Sequence, residues 1–89
     1  MKLSYDPIKS VLNQAKHGFS LAMAADFNWE TALVWTDSRK DYGELRQSAL
    51  VMWEGRLYFV AFVYRADERR IISLRKANVR EVKYYVSEN

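Results

Sequence analysis

No cysteine occurs anywhere in this 89-residue chain, so neither a disulfide framework nor a thiolate metal site can be built from it. There is a single histidine, His17, which leaves a structural zinc site almost no ligands. One proline and three glycines are too few for a flexible linker, and no repeat or low-complexity tract divides the chain. The opening MKLSYDPIKS has no apolar run, so no signal peptide is expected there. The longest apolar stretch, Leu57–Tyr64, is too short to cross a bilayer. These gaps point to a cytoplasmic protein without a membrane partner, a disulfide or a bound cofactor.

What the chain does contain is core-forming material. Hydrophobic residues make up 49% and aromatic residues 15%, far above a disordered composition. That supports one domain over residues 1–89, with a core of modest size. Charge is divided unevenly. Met1–Gly55 holds six Lys/Arg against seven Asp/Glu, whereas Arg56–Asn89 holds eight against four. A basic second half suits a polyanion, although an ordinary solvated face would look the same by charge alone.

Local patterns predict the order β-α-α-β-β-β-β-α. Lys2–Tyr5 reads as a short strand. Asp6 caps a helix that begins at Pro7, with Ile8, Val11, Leu12 and Ala15 spaced as one inward face and Gly18 as its left-handed stop. Ser20 caps a second short helix to about Phe27, with Leu21, Ala24 and Ala25 inward. Strands are expected at Ala32–Asp37, Leu45–Trp53, Arg56–Arg65 and Arg70–Arg75, joined by tight turns at Glu54-Gly55 and Ala66–Arg69. Leu57–Tyr64 is apolar on both faces, as a central strand would be. In its neighbours Arg46 shares a face with Ser48, and Ser73 with Arg75. Asn78 and Glu81 form a capping box for a last helix to Val86, with Val79, Val82 and Val86 inward. The class is α+β: an antiparallel meander sheet with two N-terminal helices and one C-terminal helix.

Metal chemistry has no obvious seat. Asp26, Glu30, Asp37, Asp41, Glu44 and Glu54 are scattered rather than clustered, and neither a phosphate loop nor a nucleophile elbow is present. The cations offer another route, because RNA carries its own nucleophile. Its 2′-hydroxyl can attack the adjacent phosphate if the protein supplies a base, an acid and fixed positive charge. Arg46, Arg65, Arg75 and Lys76 fall on strands or strand ends, where a sheet could hold them. His17 ends a helix, whose dipole favours the protonated ring, so it is a candidate acid or phosphate contact and equally a plain capping residue. Trp29, Trp35, Trp53, Tyr58, Tyr64, Tyr84 and Tyr85 could stack on bases, yet in so small a domain most should be core.

Two runs carry a family signature. One is Tyr5-Asp6-Pro7-x-Lys9-x-x-x-Asn13-x-x-Lys16-His17-Gly18-x-Ser20, followed by Ala24 or Ala25 and Phe27; the other is Arg70-Ile71-Ile72-Ser73-Leu74-Arg75-Lys76-Ala77-x-x-x-Glu81. With Arg46 and the strand Leu57–Tyr64, the chain resembles the BrnT toxins of type II toxin–antitoxin systems over almost its whole length. Leu74, where a small residue is expected, and Val51, where glycine is common, depart from the pattern and bear on local packing. The resemblance implies a RelE-like ribonuclease fold, metal-independent RNA cleavage and translation arrest. It also implies a BrnA-like ribbon-helix-helix antitoxin that forms a hetero-oligomer with the toxin and binds promoter DNA. On the matching positions it makes Arg65 and Arg75 phosphate clamps and Lys16 and His17 proton-transfer or backbone contacts. Glu81 becomes a base or the partner of Arg75, and Arg46, Lys76 and Arg80 become RNA contacts. The rival readings are a non-catalytic RNA- or DNA-binding module and a protein-interaction module.

Overall fold

The computed structural model describes residues 1–37 and 44–89, so Asp41 lies outside the described residues. The elements are β1 (Lys2–Tyr5), α1 (Pro7–His17), two 3-10 turns (Leu21–Asp26 and Trp29–Thr31), β2 (Leu33–Asp37), β3 (Arg46–Trp53), β4 (Arg56–Arg65), β5 (Glu68–Lys76) and α2 (Val79–Glu88). They build a five-stranded sheet in the order β1-β5-β4-β3-β2, with the doubly apolar β4 in the middle.

Strands β2 to β5 pair antiparallel in sequence, but β1 joins β5 in parallel, Leu3 beside Arg69 and Tyr5 beside Ile71. The sheet is therefore mixed, not a pure antiparallel meander. Strand β5 also starts at Glu68, two residues earlier than the Arg70 expected, so it takes in the second half of the turn expected at Ala66–Arg69. The hairpin backbone turns through positive φ at Glu54, Gly55 and Ala66.

One face of the sheet, the inner face, is packed by the first 3-10 turn, while α1 runs along the edge of β5. Its core joins Ala49, Val51, Tyr58, Val60, Phe62, Ile71 and Leu74 to Leu21, Ala24 and Phe27. Val51 and Leu74, the two departures from the family pattern, are both fully buried there. Completely burying a side chain such as Phe62 or Leu21 contributes about 1.5–3 kcal/mol, so this layer dominates stability.

Both helices are oriented otherwise than their apolar spacing implies. Ile8, Val11 and Leu12 are 71%, 68% and 61% exposed, and the buried residues of α1 are Ser10 and Asn13. Polar groups face inward because they satisfy backbone that no strand reaches. Strand β1 stops at Tyr5, opposite Ile71, leaving the outer edge of β5 beyond it unpaired. The Asn13 carboxamide fills that gap: Nδ2 donates to the Leu74 carbonyl at 2.8 Å, and the Leu74 N–H donates to Oδ1 at 3.1 Å. The same Nδ2 reaches the Phe19 carbonyl at 2.7 Å. Ser10 Oγ accepts from the Leu21 N–H at 3.0 Å and bonds Ser20 Oγ, which ties α1 to the next turn. Gly18 ends α1 in the left-handed region at φ 89, as expected.

The second helix is a 3-10 turn, with Leu21 and Ala24 buried but Ala25 exposed. In α2 the valine stripe also faces out: Val79, Val82 and Val86 are exposed, and Glu81 and Tyr85 are the half-buried positions. The Asn78–Glu81 capping box forms as expected. No described helix is long and apolar enough to cross a membrane.

Candidate functional site

The other face of the sheet, the open face, gathers the cations. Strand register sets Ser48, Ala61 and Ser73 side by side across β3, β4 and β5 as a floor of small side chains. On one side of this floor lies the row Arg46–Val63–Arg70, with Arg65 beyond it. On the other lies Phe59 beside Arg75. Trp35 of β2 is opposite Ser48 and closes one end.

A β-bulge makes this arrangement possible. The pairing shifts between Ala61 and Phe62, so that Ala61 faces Ser73 while Phe62 faces Ile71, and Ile72 is the extra residue. Without it, Arg70 and Arg75 would alternate onto opposite faces, being five residues apart. With it, both are on the open face. Arg69 goes to the inner face instead, where its guanidinium stacks over the Trp29 ring at 4.0 Å and near Phe62 at 5.3 Å. Its Nε is buried without a hydrogen-bond partner. Arg69 thus clamps the core through cation–π contact and offers no charge to a ligand on the open face.

Three cavities adjoin these rows. One of about 240 Å³ is lined by Lys9, Arg46, Arg65 and Arg70, with Asp6 and Glu44 as the acidic members. A second, about 260 Å³, lies beside it along α1 and holds Lys9, Lys16, His17, Ile72 and Ser73. The third, about 480 Å³, sits under α2 among Trp35, Ser48, Phe59, Arg75, Arg80 and Glu81.

Arg65 donates from Nε and Nη2 to the two oxygens of Glu44 at 2.8 and 2.6 Å. These hydrogen bonds hold the Glu44 carboxyl below its ordinary range even though the pair is open to solvent. Arg75 is matched in the same two-pronged way, with Nη1 and Nη2 on the Glu81 oxygens at 2.8 and 2.9 Å. Its guanidinium also lies 4.2 Å from the centre of the Phe59 ring. Burial alone would raise the Glu81 carboxyl. The Arg75 bonds, the Asn78 N–H and the charges of Arg75 and Arg80 outweigh it and bring the pKa down. Glu81 is therefore a charged, fully engaged carboxylate that orients Arg75 and docks α2, which makes it a poor proton acceptor. Both arginines already present the fork that two phosphate oxygens would accept, with a carboxylate now in that position.

His17 corrects the expectation of a protonated ring. Its pKa is lowered, first by burial, then by the charges of Lys16 and Arg75. Desolvation and two cations outweigh the helix end, so the imidazole is neutral near pH 7 and fitted to accept a proton. Lys16 stands with it on the cavity that reaches Ser73. Arg46 lies on the open face, opposite Asp37 in the strand pairing. Arg80 lines the cavity beneath α2. Lys76 is exposed at the end of β5 and shares its face with Leu74 rather than with Arg75, so it stands apart; its carbonyl accepts from Arg75 at 3.2 Å. Lys9 and Arg70 complete the cationic set without having been singled out from sequence. Lys9 sat inside the first motif, and Arg70 was concealed by the bulge.

Of the aromatics, Trp29, Trp53 and Tyr58 belong to the inner layer. Trp35 packs edge-to-face with Tyr84 at 5.5 Å and lies 6.4 Å from Phe59, on the open side. Among the described residues, no three His, Asp or Glu side chains are grouped to hold a metal ion.

The family model described as "Ribonuclease toxin, BrnT, of type II toxin-antitoxin system" matches residues 5–81. No curated protein matches the chain.

Proposed function

The chain belongs to the BrnT family of ribonuclease toxins of type II toxin–antitoxin systems, and we propose that it cuts RNA without a metal ion, on the open face of its sheet. The observation that carries this reading is the convergence of Lys9, Arg46, Arg65, Arg70 and Arg75 on the open side of the sheet, with neutral His17 at its margin.

The scissile phosphodiester exchanges with the Glu81 carboxylate for the fork of Arg75, and a second phosphate farther along the strand exchanges with Glu44 for the fork of Arg65. The exchange substitutes one anion for another, so neither arginine is left uncompensated. His17 takes the proton of the 2′-hydroxyl, whose oxygen forms a bond to phosphorus while the bond to the 5′-oxygen breaks. Lys16 supplies a proton to the departing oxygen. Arg75, which lies near enough to His17 for its charge to act on the ring, balances the extra negative charge on phosphorus, which is where preorganised donors lower a barrier most. Arg65, six residues along β4 from the partner of Arg75, holds a neighbouring phosphate of the same strand. The products are a 2′,3′-cyclic phosphate and a free 5′-hydroxyl. Arg46 holds the flanking backbone, and Arg80 reaches the RNA from the cavity beneath α2, whereas Lys76, on the other side of the sheet, takes no part.

Type II membership entails a protein antitoxin. We assign that role to a BrnA-like ribbon-helix-helix protein that forms a hetero-oligomer with this chain and carries it to promoter DNA. The RelE-like architecture and the arrest of translation in the cytoplasm belong to the same proposal. Expression of the chain alone is expected to stop growth, and co-expression of the antitoxin to restore it. Normal growth with soluble toxin present would contradict the proposal.

A further inference from the structure

We propose that the cavity under α2 is a nucleobase pocket, which receives one unpaired base of the substrate next to the phosphate held by Arg75. The inference rests on the ribonuclease reading and goes beyond it, because a phosphate clamp needs no base site. The cavity, about 480 Å³, combines two features that phosphate binding does not require. Its walls include the aromatic side chains of Trp35 and Phe59, both half-buried; Trp35 packs edge-to-face with Tyr84, and the Arg75 guanidinium lies over the Phe59 ring. It also supplies polar groups of both kinds: Arg80 and the Asn78 Nδ2 can donate, and the Ser48 hydroxyl on the floor can accept or donate, while the Asn78 Oδ1 is held by the Glu81 N–H.

An aromatic wall with a polar rim is how proteins hold a splayed-out base, the ring stacking while the rim reads the base edge. Arg75 lines the same cavity, so base and phosphate would be neighbours on one nucleotide chain. The floor supports this placement. Ser48, Ala61 and Ser73 are small, and a strand of RNA laid along them would run from Trp35 toward His17 without meeting a large side chain. A double helix cannot present a base in this way, so the substrate class is single-stranded RNA.

The test is a cut-site map on a pool of random single-stranded RNA, read by sequencing, with binding to a short oligonucleotide measured alongside. The wild-type protein should show a base preference at one position beside the cut. Trp35→Leu should erase that preference and weaken oligonucleotide binding about tenfold, the usual consequence of losing one stacking platform. Trp35→Phe should keep the preference. If Trp35→Leu retains both its melting temperature and the wild-type profile, the pocket is overturned while the ribonuclease stands. If folded wild-type protein neither binds nor cuts RNA, the underlying reading falls and the pocket with it. Should Trp35→Leu fail to fold, Arg80→Gln, on the exposed first turn of α2, decides the matter. Loss of the preference supports the pocket, and an unchanged profile overturns it.

Discussion

Arg75 carries two duties that its neighbours allow to be separated. It is the only arginine whose guanidinium is both stacked on Phe59 and forked to a carboxylate among the described residues. As a phosphate clamp, its loss in Arg75→Ala should lower RNA cleavage by about 10²-fold, with Arg75→Lys recovering only part. As the anchor of α2, its loss should lower the melting temperature, and Glu81→Ala should do the same while the folded fraction still cuts. Melting and cleavage measured on both variants separate these duties; an unstable but fully active Arg75→Ala would remove it from the mechanism. His17 gives a second residue-scale expectation. Because its folded pKa is lowered from the ordinary 6.5, cleavage should fall on the acid side of a midpoint below that value and stay level above it. His17→Ala should remove that limb from the pH–rate profile, and an unchanged profile would reject His17 as the base. The lowered Glu81 pKa bears on stability. Its contribution is complete above the ordinary 4.5 and is lost as pH falls through the lower folded value. Glu81→Gln should flatten that acid-side loss in melting curves.

Elements show where sequence pattern succeeds and where it misleads. Strands β2 to β5 and both caps of α1 were legible, because period-two alternation, Asp6-Pro7 and Gly18 are local signals. The faces of α1 and α2 were not. Apolar spacing marks an amphipathic helix, but α1 is seated by what its polar side does for the unpaired edge of β5. Asn13 is the clearest case: a helix asparagine that reads as surface and is in fact a substitute strand residue. Asn13→Ala should cost about 1–3 kcal/mol in denaturant unfolding, since it strands the buried N–H and C=O of Leu74. A loss below a few tenths would mean that water replaces the carboxamide. The bulge at Ile72 concealed Arg70 for a similar reason. Straight alternation groups Arg69 with Arg75, whereas the observed register gives Arg70 that place and sends Arg69 to Trp29. A one-residue insertion in a strand leaves no compositional trace, so no periodicity argument could have located it.

For the molecule as a whole, the uneven charge of the sequence becomes a sidedness. Four arginines, 46, 65, 70 and 75, lie on the open face of the sheet, while the apolar rings of Phe27, Tyr58 and Phe62 fill the inner one. RNA affinity should therefore fall steeply with salt, and Arg46→Ala should reduce the slope of log K against log salt by about 0.7, the share of one phosphate contact on a single strand. The central claim is that this surface turns the substrate's own 2′-hydroxyl into the nucleophile. Its most direct measurement uses one RNA oligonucleotide, with and without a single 2′-deoxy sugar at the cut site, incubated with purified protein in excess EDTA. The all-ribose strand should be cut to a 2′,3′-cyclic phosphate and the deoxy-substituted strand should stay whole at that position. Cleavage of the substituted strand at the same site, or loss of all cleavage on chelation, would contradict the account.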